Sequence, residues 1–210
     1  MGYDEGKPNG KVLTANISKI KSLNVSYLYI SDLTGIEDFS SLTSLSCYNN
    51  QLTSLNVTQN TALISLDCSS NQLTNLDVTQ NTLLVELDCH TNLLKSLDVT
   101  QNTELSDLYC DENKLRNIDV TKNKLLTIFV CNNNEISGLD VSKNSFLIYL
   151  CCFSNQLSSL NLQNGNNENL TFLFAHINPN LTSIVVDNVN YSKTNWTNVD
   201  PVVSFSSNNQ

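Results

Sequence analysis

Positive charge is what this sequence has least to spare: eleven Lys and Arg stand against twenty Asp and Glu, a formal net charge of -9. A surface of that sign repels phosphate backbones and anionic lipid, so no nucleic-acid partner is expected. Glycine (6) and proline (3) are scarce, and Pro8, Pro179 and Pro201 lie toward the chain ends, so nothing breaks the middle. No run approaches the roughly eighteen consecutive apolar residues of a membrane span, which excludes insertion. The opening MGYDEGKPNG has no basic stretch followed by an apolar core, so a secretory signal is missing from these residues. Charged residues make up only 15%, against the usual quarter or so. Polarity is supplied by asparagine: 33 Asn and 32 Leu dominate 210 residues. A bias of that size points to a repeat.

Of seven cysteines, Cys47, Cys68, Cys89, Cys110, Cys131 and Cys152 are each 21 residues apart. Even spacing this long is neither a disulfide framework nor a zinc pattern, whose ligands cluster within a few residues. Aligned on it, the chain reads LTSLSCYNNQLTSLNVTQNTA, LISLDCSSNQLTNLDVTQNTL, LVELDCHTNLLKSLDVTQNTE, LSDLYCDENKLRNIDVTKNKL, LTIFVCNNNEISGLDVSKNSF and LIYLCCFSNQLSSLNLQNGNN. The frame L-x-x-L-x-C-x-x-N-x-L-x-x-L-D-V-x-x-N-x-x is a leucine-rich repeat signature. It predicts a solenoid of about eight coils, mostly of 21 residues, with little helix.

One copy explains the architecture. In L-x-x-L-x-C the second Leu and the Cys are two apart and share the inner side of a short strand. Strands from successive coils then stack about 4.8 Å apart as a parallel sheet on the concave side. The column Asn50, Asn71, Asn92, Asn113, Asn134, Asn155 and Asn178 sits where the chain leaves the strand. Its amides can serve backbone groups that leave the sheet pattern, forming a structural ladder. The later L-D-V turns Leu and Val inward again as a short extended segment on the convex side. The cysteine column is expected to be core filling, since buried thiols behave as small hydrophobes.

The array has irregular ends. Residues 1–19 are expected to be a loosely ordered polar leader, 20–186 the solenoid and 187–210 a capping segment. In the degenerate first coil Leu28 replaces the ladder Asn, and Tyr191, Trp196 and Phe205 suit a cap over the last coil.

These copies, the entry ISDLTGIEDFSSLTSLSCYNNQLT and the closing NPNLTSIVVDNVNYSKTNWTNVD closely resemble the extracellular leucine-rich repeat proteins of flavobacteria and other Bacteroidetes. The likeness extends more distantly to bacterial internalins. What the resemblance implies is a secreted or cell-surface bacterial binding module, of a kind that often carries a further sorting domain, absent from these residues. Relatives often have Cys in place of Ser183 and near Asn209, implying a disulfide that ties the cap; lacking both, this chain is expected to fray there. The segment GKPNGKVLTANIS faintly resembles a calcium-loop-like leader, but Lys7 and Asn9 fall where that pattern prefers carboxylates.

Catalytic chemistry is not placed by the frame. No Ser/His/Asp, Cys/His or paired-carboxylate set falls within hydrogen-bond reach, so no enzyme, catalytic residue or cofactor is expected. Cys151 precedes the inward Cys152 and is therefore expected to be an exposed concave thiol. Asp88, His90 and Asp111 form only a weak cation candidate, because a parallel sheet spreads ligands at strand spacing.

The outward strand positions carry the functional signal. They run from polar and acidic in the first half to apolar in the second, where Tyr109, Ile128, Val130, Tyr149, Cys151, Phe153, Phe172, Phe174 and His176 form the expected binding face. A protein partner or a homodimer contact fits that face. A glycan is the alternative, although Ile128 and Val130 favour protein over sugar stacking. A purely structural or self-associating solenoid, or cover by the capping segment, are the others. Ice binding through the columns Thr58, Thr79, Thr100 and Thr121 is disfavoured by the acidic column beside them.

Overall fold

A computed structural model describes residues 13–207. The strand half of each repeat forms an eight-stranded parallel sheet in the order β1-β2-β3-β4-β5-β6-β8-β10. Its members are β1 (Ser22–Asn24), β2 (Ser44–Ser46), β3 (Ser65–Asp67), β4 (Glu86–Asp88), β5 (Asp107–Tyr109), β6 (Ile128–Val130), β8 (Tyr149–Cys151) and β10 (Phe172–Phe174). Every central residue is an inward apolar side chain, and register follows the 21-residue period: Leu45 opposite Leu66, Leu66 opposite Leu87, Leu87 opposite Leu108. The expected leucine-rich repeat solenoid is the fold. Cys47, Cys68, Cys89, Cys110, Cys131 and Cys152 are free, buried thiols inside the core. Burial pushes the Cys47 thiol up to about 12, which leaves it protonated and inert.

The asparagine ladder works as a cross-coil clamp. Asn71 donates through Nδ2 to the carbonyls of Cys47 (3.1 Å) and Cys68 (3.1 Å), while its Oδ1 accepts from Leu52 N at 3.0 Å. The pattern repeats to Asn178, which donates to Cys152 and Ala175 and accepts from Leu157. Where Leu28 stands in the ladder position, Asn50 of the next coil accepts from both Leu28 N and Ile30 N. The residue before each ladder Asn, from Asn49 through Ile177, is in the left-handed region.

The convex passage is built from turns rather than helix. Asp98 Oδ1 accepts from Thr100 N (2.9 Å) and Thr100 Oγ1 (2.7 Å), then Asn102 N bonds Val99 O and Leu105 N bonds Asn102 O. The second framework asparagine locks this bend: Asn102 Nδ2 donates to Val78 O and Asn81 O at 2.9 and 2.8 Å. Asn60, Asn81, Asn102, Asn123 and Asn144 thus form a second, wholly buried ladder. Its amide oxygens face no donor among the described residues, so it is one-sided where the first ladder is two-sided.

From the fifth full copy onward the convex segments pair as a second sheet, β12-β11-β9-β7. Its strands are β7 (Gly138–Asp140), β9 (Ser159–Asn161), β11 (Ser183–Val185) and β12 (Ser204–Ser206). A side chain at Gly138 would meet Ser159 Oγ at 2.8 Å, so glycine permits the first close pairing.

Among the described residues α-helix occurs at α1 (Thr14–Ile17) and α2 (Val189–Asn195), and the first coil carries one 3-10 turn at Ile36–Asp38. Ile17, within the expected leader, is buried; Lys7, Asn9 and Asn209 lie outside the described residues. At the far end Trp196 is 3% exposed and its Nε1 donates to Leu170 O at 2.9 Å. Asp200 accepts from Ile177 N and Asn178 N at 2.9 and 2.8 Å. Where relatives imply a staple, Ser183 and Ser206 share a hydroxyl hydrogen bond of 3.1 Å. The end expected to fray is tied at several points.

Candidate functional site

Sheet register sorts the outward positions into rows. One row runs Glu86, Asp107, Ile128, Tyr149, Phe172, and the next Asp67, Asp88, Tyr109, Val130, Cys151, Phe174. Preceded by neutral Ser and Asn on the first strands, each row turns acidic and then apolar. The face is therefore one surface with two adjoining chemistries.

At the apolar end Tyr149 packs against Phe172 and Phe174, with ring centroids 5.9 and 5.7 Å apart. Phe153 and His176 stack at 4.9 Å, 8° from parallel. Tyr109, Ile128 and Val130 join these rings through the adjacent strands. Tyr109, Ile128, Val130, Tyr149, Phe153, Phe174 and His176 are outward yet half-buried, because side chains one coil apart shield each other. Phe172 is the exception at 51% exposed. The capping segment does not close over it.

Cys151 corrects a sequence expectation. It points to the concave side as alternation requires, yet it is only 6% exposed, because Val130 and Phe174 flank it in the row. Burial pushes its thiol up to about 11, well away from the thiolate a nucleophile needs.

Among the acidic side chains, His90 Nδ1 lies 2.6 Å from Asp88 Oδ1. Burial works against the charged imidazole, but the hydrogen bond to Asp88 and the charges of Asp88, Asp111 and Asp67 outweigh it, so the His90 pKa is raised. Burial dominates at Asp88 and Asp111 too, raising both carboxyls. Asp88, His90 and Asp111 do not converge: among the described residues no group of three His, Cys, Asp or Glu side chains is placed to hold a metal ion.

The threonine columns are engaged. The hydroxyls of Thr58, Thr79, Thr100 and Thr121 each donate to the Asn or Asp two residues earlier at 2.7 or 2.8 Å. Each hydroxyl proton is engaged in its own turn. A groove lined by Leu139, Asp140, Leu160, Asn161 and Val185 lies on the opposite side, away from every expected site residue.

Two residues of the apolar region escaped the sequence reading. Ile148 is exposed beside the sheet edge, its carbonyl accepting from Phe172 N at 3.1 Å. Strand alternation would point it inward with Leu150, but the strand begins only at Tyr149. Ile177 is 58% exposed with φ 55°. Equivalent positions carry Asn49, Ser70, Thr91, Glu112, Asn133 and Ser154, so the departure to an aliphatic residue was visible in the alignment once the left-handed column is known.

No family model and no curated protein matches the chain. Among solved structures it is similar to the functional domain of InlJ from Listeria monocytogenes, which includes a cysteine ladder: 36% identity over 83% of this chain, TM-score 0.67. This chain spans 46% of that one. It also resembles internalin C2 of Listeria monocytogenes, at 20% identity over 93% of this chain and 84% of that one, TM-score 0.64. The plant peptide hormone receptor RGFR1 in complex with RGF2 matches at 19% identity over 93% of this chain and 37% of its own, TM-score 0.69. The last two likenesses show the fold alone. The solenoid, its inward cysteine column and these neighbours make this chain's fold that of an internalin-like leucine-rich repeat protein.

Proposed function

We propose that the chain is a non-enzymatic recognition module of a secreted or cell-surface protein, binding a protein partner through the concave face. The observation that carries this reading is Phe172: a large ring half in solvent, on a rigid strand, continuous with Tyr149 and Phe174. Burying an exposed ring is worth roughly 1.5–3 kcal/mol, and a contiguous apolar patch on a fixed scaffold is the usual hallmark of a partner site. Half-buried Ile128 and Val130 and exposed Ile148 supply aliphatic contact area, which suits protein better than sugar rings. Among the described residues no helix is long and apolar enough to cross a membrane, consistent with a surface domain held by other means or released. The reading is tested by affinity capture from host-cell and biofilm extracts, with the Tyr149→Ser/Phe172→Ser double variant as control. Capture of one protein by the parent and not by the variant supports it. Equal capture by both, or capture of polysaccharide alone, contradicts it.

A further inference from the structure

The acidic end of the face carries a cost in the free protein. Asp67 stands directly opposite Asp88, and Glu86 directly opposite Asp107, on adjoining parallel strands. Like charges paired across strands destabilise a sheet; His90, 2.6 Å from Asp88, offsets the first pair, and no Lys or Arg on any concave strand offsets the second. Hydroxyls take up part of the charge: Ser65 Oγ donates to Glu86 at 3.2 Å and Ser106 Oγ to Asp107 at 2.6 Å.

We infer that the partner presents an extended segment bearing Lys or Arg side chains followed by aromatic or branched aliphatic ones. The cationic part lies across β4 and β5, and the apolar part on Tyr149, Phe172 and Phe174. This inference rests on the reading of the concave face as a protein-binding site and adds the chemistry and direction of its occupant. Charge complementarity selects it: a cation seated between Glu86 and Asp107 relieves a repulsion that the free molecule retains. A second copy of this chain is disfavoured, since each copy carries a net charge of -9 and the same acidic end. Ile177, next in sequence to His176, is exposed, and Asp200 accepts from its backbone amide at 2.9 Å. An aliphatic residue kept in the left-handed region, at a position filled elsewhere by polar residues, fits a contact rim.

Selection from a random displayed library tests the inference. Peptides of about twelve residues suffice, because extended they can cross the six strands from β3 to β10. The folded parent chain is the bait and Tyr149→Ser/Phe172→Ser the counter-selection. Enrichment of sequences pairing Lys or Arg with aromatic or branched aliphatic residues is expected. A synthetic peptide from that pool should lose roughly tenfold in affinity at Glu86→Gln/Asp107→Asn and weaken with salt. That variant should be no less heat-stable than the parent, which separates lost charge recognition from damaged folding. Enriched peptides that are neutral or acidic, yet still depend on Tyr149 and Phe172, would overturn the charge assignment and leave the binding face intact. Failure to enrich any peptide dependent on those two rings would overturn both.

Discussion

At the scale of single residues, conformation and charge each make a direct forecast. Ile177 has φ 55°, where a β-branched side chain crowds its own backbone. Ile177→Asn should therefore stabilise the chain by about 1 kcal/mol in denaturant unfolding, since Asn tolerates that region. A loss of stability would show that the exposed Ile177 side chain packs rather than waits for a partner. His90 gives a pH-dependent forecast. Its folded pKa lies above the unfolded value near 6.5. The stabilisation from its proton is therefore complete below about pH 6.5 and lost as pH rises through the folded value. Partial exposure screens the pair, so the effect stays below about 1 kcal/mol. An NMR titration should place His90 above the ordinary range, and Asp88→Asn should bring it down because the strongest of the raising contacts is removed. An unmoved His90 in that variant would contradict the ion pair.

At the scale of one coil, the ladder asparagine carries the most buried backbone groups of an internal repeat. Asn92 accepts from Leu73 N and donates to Cys68 O and Cys89 O, all buried. Asn92→Leu leaves those groups unpaired at roughly 1–3 kcal/mol each, so a loss of at least about 3 kcal/mol is expected in chemical denaturation. A loss under about 1 kcal/mol would mean the backbone finds other partners. This ladder, the inward cysteines and the strand register were legible in sequence, because a fixed period forces every copy into the same environment. The buried column Asn60 to Asn144 stood in the same frame without an assigned role, since its bonds reach carbonyls one coil away across a turn that periodicity does not describe. The burial of Cys151 was equally invisible. Alternation along one strand gives its direction, whereas its cover comes from Val130 and Phe174 on neighbouring strands.

At the scale of the whole molecule, stability is a sum of coils and their interfaces, and the ends decide whether it unfolds as one unit. Trp196, the sole tryptophan, is buried in the cap and bonded to Leu170 O. Together with the β11–β12 pairing and the Asp200 clamp, this predicts coincident unfolding midpoints by tryptophan fluorescence and far-UV circular dichroism. An earlier fluorescence transition would restore the fraying end that the absent staple implies. The central claim is that the rings on the concave face serve an outside partner rather than the fold. It is tested most directly by Phe172→Ser, followed through denaturant unfolding and through binding of a partner captured by the parent chain. With half of the ring already in water, stability should fall by less than about 1 kcal/mol while binding is lost. A large loss of stability with binding intact would contradict the account and make Phe172 part of the packing of the last coils.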